Sequence, residues 1–249
     1  MDETEWQKRL LAGISGPRLW SLRKRTAMET ARDFIKVGIS MSRPELDEKT
    51  RDAVHAVGLL LQMAGELVFA AGRLLSDREH YAGAALLRQV VEIEYLTWTF
   101  KEKRRSASAW LRSTHAERMK MFGPSQLRQT SKGRFLDKDY RHHCEQGGHP
   151  TVRGSLLLRG ANVPGAQLLL VDLIVHSWRT WDQLVCWSKE FGCASRAVVA
   201  LGSQVSWRLN EWGKQDPIYT LMVERYPENR AQNSLTPQQI AYRPDPGRE

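Results

Sequence analysis

The sequence has little cysteine. Its 249 residues include three, which are Cys144, Cys186 and Cys193. Three thiols at uneven spacing exclude a disulfide framework, and we expect a protein of the reducing cytoplasm. Cys144 lies near three histidines, His142, His143 and His149, but their spacing matches no zinc template. The sequence therefore predicts neither a metal ion nor another cofactor.

Long uninterrupted hydrophobic runs are also absent. The strongest candidate is residues 53–75, where His55, Gln62, Glu66 and Arg73 interrupt the apolar residues. Such a stretch is typical of a buried helix rather than of a membrane span. The charged N-terminus, MDETEWQKRL, does not resemble a secretory signal. We expect a protein that does not enter a membrane.

Alternating valine-rich strands, internal repeats and a glycine-rich phosphate loop are missing as well. The remaining apolar pattern has helical spacing, which predicts an all-α fold, an antiparallel helical bundle with irregular N- and C-terminal arms. We divide the chain into an N-terminal arm with short helices (1–45), the bundle (46–212) and an irregular C-terminal tail (213–249). Asp47 or Thr50 can cap a first long helix that runs to about Leu75.

One stretch, Tyr81 to Lys103, has the clearest helical pattern and organises the bundle. Its apolar stripe consists of Ala84, Leu87, Val91, Tyr95 and Trp98. Arg88 and Glu92 lie four residues apart beside that stripe, so their side chains share one face. They form either a plain ion pair on the helix flank or a polar site in which the arginine holds a phosphate or carboxylate.

The positive charge is concentrated in residues 101–160. This segment holds fourteen basic and five acidic residues and so accounts for the whole net charge of +9. Such a local surplus suggests a polyanionic partner, nucleic acid before an anionic membrane; the alternative is a basic face that only keeps the protein in solution. The candidate nucleic-acid-binding residues are Lys101, Lys103, Arg104, Arg105, Arg112, Lys120, Arg128, Lys132, Arg134, Lys138 and Arg153.

Two motifs resemble a known family. The first is a helix of the form A-x-x-L-R-x-x-x-E with an aromatic end, represented by Ala84, Leu87, Arg88, Glu92, Tyr95 and Trp98. The second is a later tyrosine followed by His-Pro, represented by Tyr140, Cys144, His149 and Pro150. Together they are similar to HEPN-like helical domains of the uncharacterised bacterial type, and the similarity covers about residues 46–190.

This resemblance implies an up-and-down helical bundle that often dimerises and occurs among toxins and phage-defence proteins. Active members are metal-independent endoribonucleases, in which a histidine transfers protons and an arginine stabilises phosphate charge. Carried over, it makes His149 the general acid or base and puts Arg88 and Arg141 on the phosphate. Glu92 would then orient Arg88, and Tyr140 would be an auxiliary donor.

The chain departs from the Arg-x(4–6)-His motif of that family. The positions that should hold arginine before His149 are His142, His143 and Cys144. We therefore consider two alternative functions. The first is an RNA-binding or RNA-cleaving protein, and the second is a non-catalytic helical subunit that binds nucleic acid or a protein partner through residues 101–160. RNA is expected before DNA, and the protein is expected to be a homo-oligomer or part of a larger complex.

Overall fold

The computed structural model describes residues 3–14, 16–41, 44–158, 163–191 and 196–225. These residues form helices and connecting turns without any strand, so the all-α prediction is confirmed. The first four helices are α1 (Glu3–Ile14), α2 (Pro17–Ser40), α3 (Glu48–Ser76) and α4 (His80–Lys101). Five short helices follow: α5 (Ala107–Arg112), α6 (His115–Phe122), α7 (Pro124–Thr130), α8 (Asp137–His143) and α9 (Val152–Ser155). The chain continues as α10 (Val163–Phe191), α11 (Arg196–Gln215) and α12 (Pro217–Arg225). A single π-helical turn, here called the π-turn (Cys144–Gly148), joins α8 to the segment before α9.

Helices α2, α3 and α4 form an antiparallel up-and-down array. Glycines permit close approach between α2 and α3, because a Cβ on Gly38 would lie 2.5 Å from the carbonyl oxygen of Gly58. Farther along the same pair, a Cβ on Gly65 would lie 2.7 Å from the carbonyl oxygen of Ala31. Asp47 accepts a hydrogen bond from the Thr50 amide at the start of α3, as its position in the sequence predicted.

Helix α10 runs parallel to α4 and not antiparallel to it. The contacts between Glu94 and His176 and between Thr97 and Gln183 advance in the same direction along both helices. Residues 102–158 make this possible, because they carry the chain back to the start of α4, where Gly154 lies against Tyr81. The inner faces of α2, α3, α4, α10 and α11 enclose the main hydrophobic core.

The N-terminal region differs from the arm with short helices expected for residues 1–45. Helix α2 has 24 residues and contributes Ala27, Ala31, Phe34 and Val37 to the core. Its helical pattern was weak because polar side chains, including Arg23, are buried on the same face. Residues 213–225 are likewise helical, in α11 and α12, and the rest of the predicted irregular tail lies outside the described residues.

Helix α3 is long and apolar enough to cross a bilayer by length and composition, alone among the helices of the described chain. Within its most apolar 18-residue window, 56% is buried inside the protein. The core helix of a globular domain has this character, which agrees with the interpretation of residues 53–75.

Candidate functional site

Arg88, Glu92 and Tyr140 form a compact polar cluster on the outer side of α4. Arg88 Nη2 donates a hydrogen bond to the Tyr140 hydroxyl over 2.9 Å, and that hydroxyl donates a hydrogen bond to Glu92 Oε1 over 2.8 Å. The same guanidinium nitrogen lies 2.9 Å from Glu92 Oε1. Burial and the hydrogen bond to Glu92 raise the pKa of Tyr140 to about 12, although Arg88 opposes the shift. The tyrosine therefore keeps its proton at neutral pH and bridges the two charges.

The π-turn determines how Tyr140 reaches α4. A Cβ on Gly147 would lie 2.3 Å from the backbone nitrogen of Ala85, and one on Gly148 would lie 2.7 Å from Arg88 Cδ. Only glycine permits this distance of approach at Gly147, because the opposing atom belongs to the backbone. The Gly-Gly pair thus brings the end of α8 and the π-turn directly onto α4.

His149 and Arg141 do not join this cluster. The His149 side chain is exposed, and the residue is held through its backbone: its amide donates to the Cys144 carbonyl, and its carbonyl accepts from the Tyr81 hydroxyl over 3.1 Å. The Arg141 side chain is 70% exposed and pairs with Asp137 over 2.8 Å. Within the described chain, neither the imidazole nor this guanidinium is hydrogen-bonded to Arg88 or Glu92. The structure therefore brings together three of the five residues that the resemblance assigned to catalysis.

Several of the predicted nucleic-acid-binding residues have partners within the protein. Arg128 lies over the Tyr140 ring, 4.0 Å from its centre, and also pairs with Asp137. Arg112 bridges Glu48 and Asp52 on α3. Lys101 pairs with Glu102 over 3.4 Å and Arg153 with Glu145 over 3.0 Å. These cations contribute to the fold as well as to the surface charge.

The other predicted cations are exposed. Arg134 stands over the Phe135 ring, with its guanidinium carbon 5.9 Å from the ring centre, and Lys103 has a partner of its own. The predicted nucleic-acid-binding residues that make neither an ion pair nor a ring contact within the residues described are Arg104, Arg105, Lys120, Lys132 and Lys138. Their charge is available to an external anion without first breaking an internal ion pair.

A second polar cluster lies inside the bundle, where the sequence predicted no site. His176 Nδ1 lies 2.5 Å from Glu94 Oε2, and His176 Nε2 lies 3.3 Å from Asp172 Oδ1. His143 Nδ1 approaches the other oxygen of Asp172 at 3.7 Å. The candidate ligand atoms of His143, Asp172 and His176 all lie within 4.8 Å of one another.

The two histidines of this cluster have opposite electrostatic environments. Burial disfavours charge on His176, but Asp172 and Glu94 outweigh it and raise its pKa to about 9. Burial lowers the pKa of His143, and Asp172 only partly offsets this. Burial raises the pKa of both carboxyl groups, but His176 and Arg179 outweigh it and hold the pKa of Glu94 below its usual range. His143 joins His176 and Arg179 in lowering the pKa of Asp172. Without a bound ligand, the cluster is a buried imidazolium between two carboxylates, with a neutral imidazole beside it.

A cavity of about 610 Å³ opens onto this cluster. His143, Asp172 and His176 line one side of it, and helices α1, α10 and α12 supply a largely apolar wall. Arg153 and Arg179 bring positive charge to the lining. A concave apolar space with a few convergent polar groups is the usual form of a small-molecule site.

Part of this cluster has a sequence signal. Asp172 and His176 are spaced i,i+4 on a helix that is otherwise apolar, and Glu94 is an acid within the apolar pattern of α4. His143 belongs to the group of three histidines near Cys144 whose spacing along the chain matches no zinc template. Spacing could not find the site because its three parts come from α4, α8 and α10, which only the fold brings together.

Comparison with protein families, with curated proteins and with solved structures gave no match for this chain. The HEPN-like resemblance therefore remains a prediction that depends on the motifs quoted for it.

Proposed function

We propose that this protein binds a polyanion, RNA before DNA, through the basic segment of residues 101–160. The observation that carries the proposal is that five of the predicted nucleic-acid-binding residues are exposed and make neither an ion pair nor a ring contact within the described chain: Arg104, Arg105, Lys120, Lys132 and Lys138. Cations of this kind bind phosphates and release condensed counterions, which supplies most sequence-independent affinity. The preference for RNA follows from the family resemblance.

The geometry of the Arg88 cluster disfavours cleavage at that point. Arg88 already interacts with Glu92 and with the Tyr140 hydroxyl, so holding a phosphate would require breaking a formed ion pair. Metal-independent cleavage stays a second candidate because Tyr81, at the start of the helix that carries Arg88, anchors the His149 backbone. An RNA strand bound across this end of α4 could meet both residues.

The salt dependence of RNA binding tests the proposal. For a single strand, the slope of log affinity against log salt is about −0.7 for each phosphate neutralised, so five cations predict about −3.5. Affinity should then fall by about 100-fold between 50 and 200 mM salt. A fluorescence anisotropy titration with a labelled single-stranded RNA and a matched DNA measures both the slope and the preference.

Charge-neutral variants locate the binding surface. The quadruple variant R104Q/R105Q/K132Q/K138Q should lower the slope to about −0.7, because only about one of the five contacts remains. The control K24Q/R25Q removes two exposed cations from α2 and should leave the slope unchanged. Equal losses per charge removed in the two variants would show that only total charge matters and would overturn the assignment to residues 101–160.

Cleavage is measured separately, in EDTA, with the wild type and His149→Ala. Loss of cleavage in the variant with unchanged RNA affinity would assign His149 to the reaction. Equal rates would remove it from the mechanism. Binding without any cleavage would leave the non-catalytic helical subunit as the function.

A further inference from the structure

The cluster inside the bundle has the donor atoms and spacing of a transition-metal site. In a tetrahedral site, ligand atoms about 2.0–2.2 Å from the metal lie roughly 3.3–3.6 Å from one another. The His176 Nε2 to Asp172 distance is 3.3 Å, and the His143 Nδ1 to Asp172 distance is 3.7 Å. These two distances reach different oxygens of Asp172, and one donor atom from each of the three residues lies within 4.8 Å of the other two, so small side-chain shifts bring them to the separations that a single ion requires.

His143 provides an independent indication that the cluster binds a ligand. Its side chain is 7% exposed, yet Nδ1 is buried and makes no hydrogen bond. A buried polar atom without a partner is costly and rare in native proteins. This nitrogen faces the Asp172 carboxylate at a distance too long for a hydrogen bond, and an ion between them would use the lone pairs of both groups.

Glu94 holds His176 as the outer carboxylate of a metal site does. It accepts a hydrogen bond from His176 Nδ1, which fixes a proton on that nitrogen and leaves Nε2, the nitrogen that faces Asp172, as the one that would give up its proton to a metal ion. Metal-binding histidines almost always donate their second N–H to such a carboxylate or carbonyl. Glu94 is 2% exposed and is not among the residues that line the cavity, so it is a positioning residue and not a ligand.

We propose that His143, Asp172 and His176 bind one divalent transition-metal ion of the zinc class, with Glu94 orienting His176. Two imidazoles and one carboxylate form a donor set that Zn²⁺ and its neighbours in the first transition row accept. All three groups line the cavity, so the remaining coordination position faces it and can hold water or an oxygen of a bound small molecule. This arrangement, three protein ligands and one open position, is that of reactive rather than purely structural zinc sites.

The test uses the full-length chain without an affinity tag, stripped with EDTA and dialysed against metal-free buffer. Zn²⁺ is then titrated by calorimetry, and bound metal is counted by mass spectrometry after desalting. The wild type should retain one ion per chain. When Co²⁺ replaces Zn²⁺, the protein should show the visible absorption of a site with a low coordination number. A loosely bound surface ion does not show this absorption.

Matched variants assign the ligands. His143→Ala and Asp172→Asn should lose stoichiometric binding, and Glu94→Gln should weaken it by about 10- to 100-fold. His142→Gln is the control, because His142 also lines the cavity, next to His143, but lies outside the cluster. Far-UV circular dichroism establishes that each variant is folded, and Asp172→Asn replaces His143→Ala if the latter does not fold.

The proposal is overturned if the wild type retains no stoichiometric metal, or if His142→Gln loses the ion as His143→Ala does. In the first outcome, the cluster is a buried ion-pair network that acts in stability alone. RNA takes no part in these measurements, so their result is independent of the polyanion-binding proposal.

Discussion

Removing the carboxylate of Asp216 should destabilise the protein more than almost any other single substitution. Arg23 and Asp216 are both fully buried, and the guanidinium donates two hydrogen bonds to this carboxylate over 2.7 and 2.9 Å. Arg23 also donates to Gln167 Oε1 and to the Gly13 carbonyl, so α1, α2, α10 and the start of α12 meet at one side chain. The Trp212 indole N–H donates to the same carboxylate over 3.1 Å.

The expected loss in the free energy of unfolding follows from the groups that Asp216→Ala leaves without a partner. Breaking a buried ion pair from one side costs about 3–5 kcal/mol, because the other charge stays buried without compensation. Asp216 also accepts hydrogen bonds from the Ile218 and Tyr219 amides at the start of α12, and losing such a cap costs about 1 kcal/mol more. A loss of about 5 kcal/mol would consume much of the 5–15 kcal/mol that is typical of a folded domain.

Urea denaturation, followed by circular dichroism and tryptophan fluorescence, measures this cost. The double variant Arg23→Met/Asp216→Ala removes both charges and should be at least about 2 kcal/mol more stable than Asp216→Ala alone, since no charge then remains buried without a partner. A cost below about 1 kcal/mol for Asp216→Ala would refute the reasoning. A double variant no more stable than Asp216→Ala would refute the part assigned to the unpaired arginine.

Three further outcomes are expected. In EDTA, the free energy of unfolding should fall between pH 6.5 and 9 by up to about 3 kcal/mol, because the pKa of His176 is raised to about 9 in the folded protein and its stabilising contribution is lost as the pH rises through that value. Glu94→Gln should flatten this profile, and a wild-type profile without any fall would contradict the assignment. Tyr140→Phe should cost about 1 kcal/mol in urea without changing RNA affinity, whereas a weakened affinity would place the hydroxyl at the RNA. Gly147→Ala should cost about 1–3 kcal/mol in thermal denaturation, since its Cβ would lie 2.3 Å from the backbone nitrogen of Ala85; an unchanged melting temperature would show that the π-turn can shift away from α4.

The elements that could be predicted are those whose pattern is local. Helices α3 and α4 follow from apolar side chains at helical spacing, and the start of α3 follows from its aspartate cap. The segment of residues 106–122 is divided into two helices, α5 and α6. Thr114 caps α6 and forms a reciprocal pair of hydrogen bonds with Glu117, which favours a new helix start at that point. The apolar pattern of α2 is weaker, because Arg23 and two threonines occupy buried positions that apolar residues usually hold.

The candidate sites likewise contain some contacts that local spacing predicts and others that depend on the fold. The pairing of Arg88 with Glu92 could be predicted because an i,i+4 spacing on one helix determines it. Tyr140 joined that pair only through the resemblance, and its contact depends on two glycines that allow the π-turn to approach α4. The exposure of His149 could not be predicted, since a Gly-Gly-His-Pro sequence specifies the bend but not which side of it faces the protein.

The sequence by itself determined the all-helical class, the identity of the central helices and the position of the excess positive charge, because each is a property of neighbouring residues along the chain. Only the tertiary structure decided that His143, Asp172 and His176 face one another beside Glu94. Residues 102–158 carry the chain back along α4, so α10 packs parallel to it, and that choice of direction sets which polar side chains meet inside the bundle.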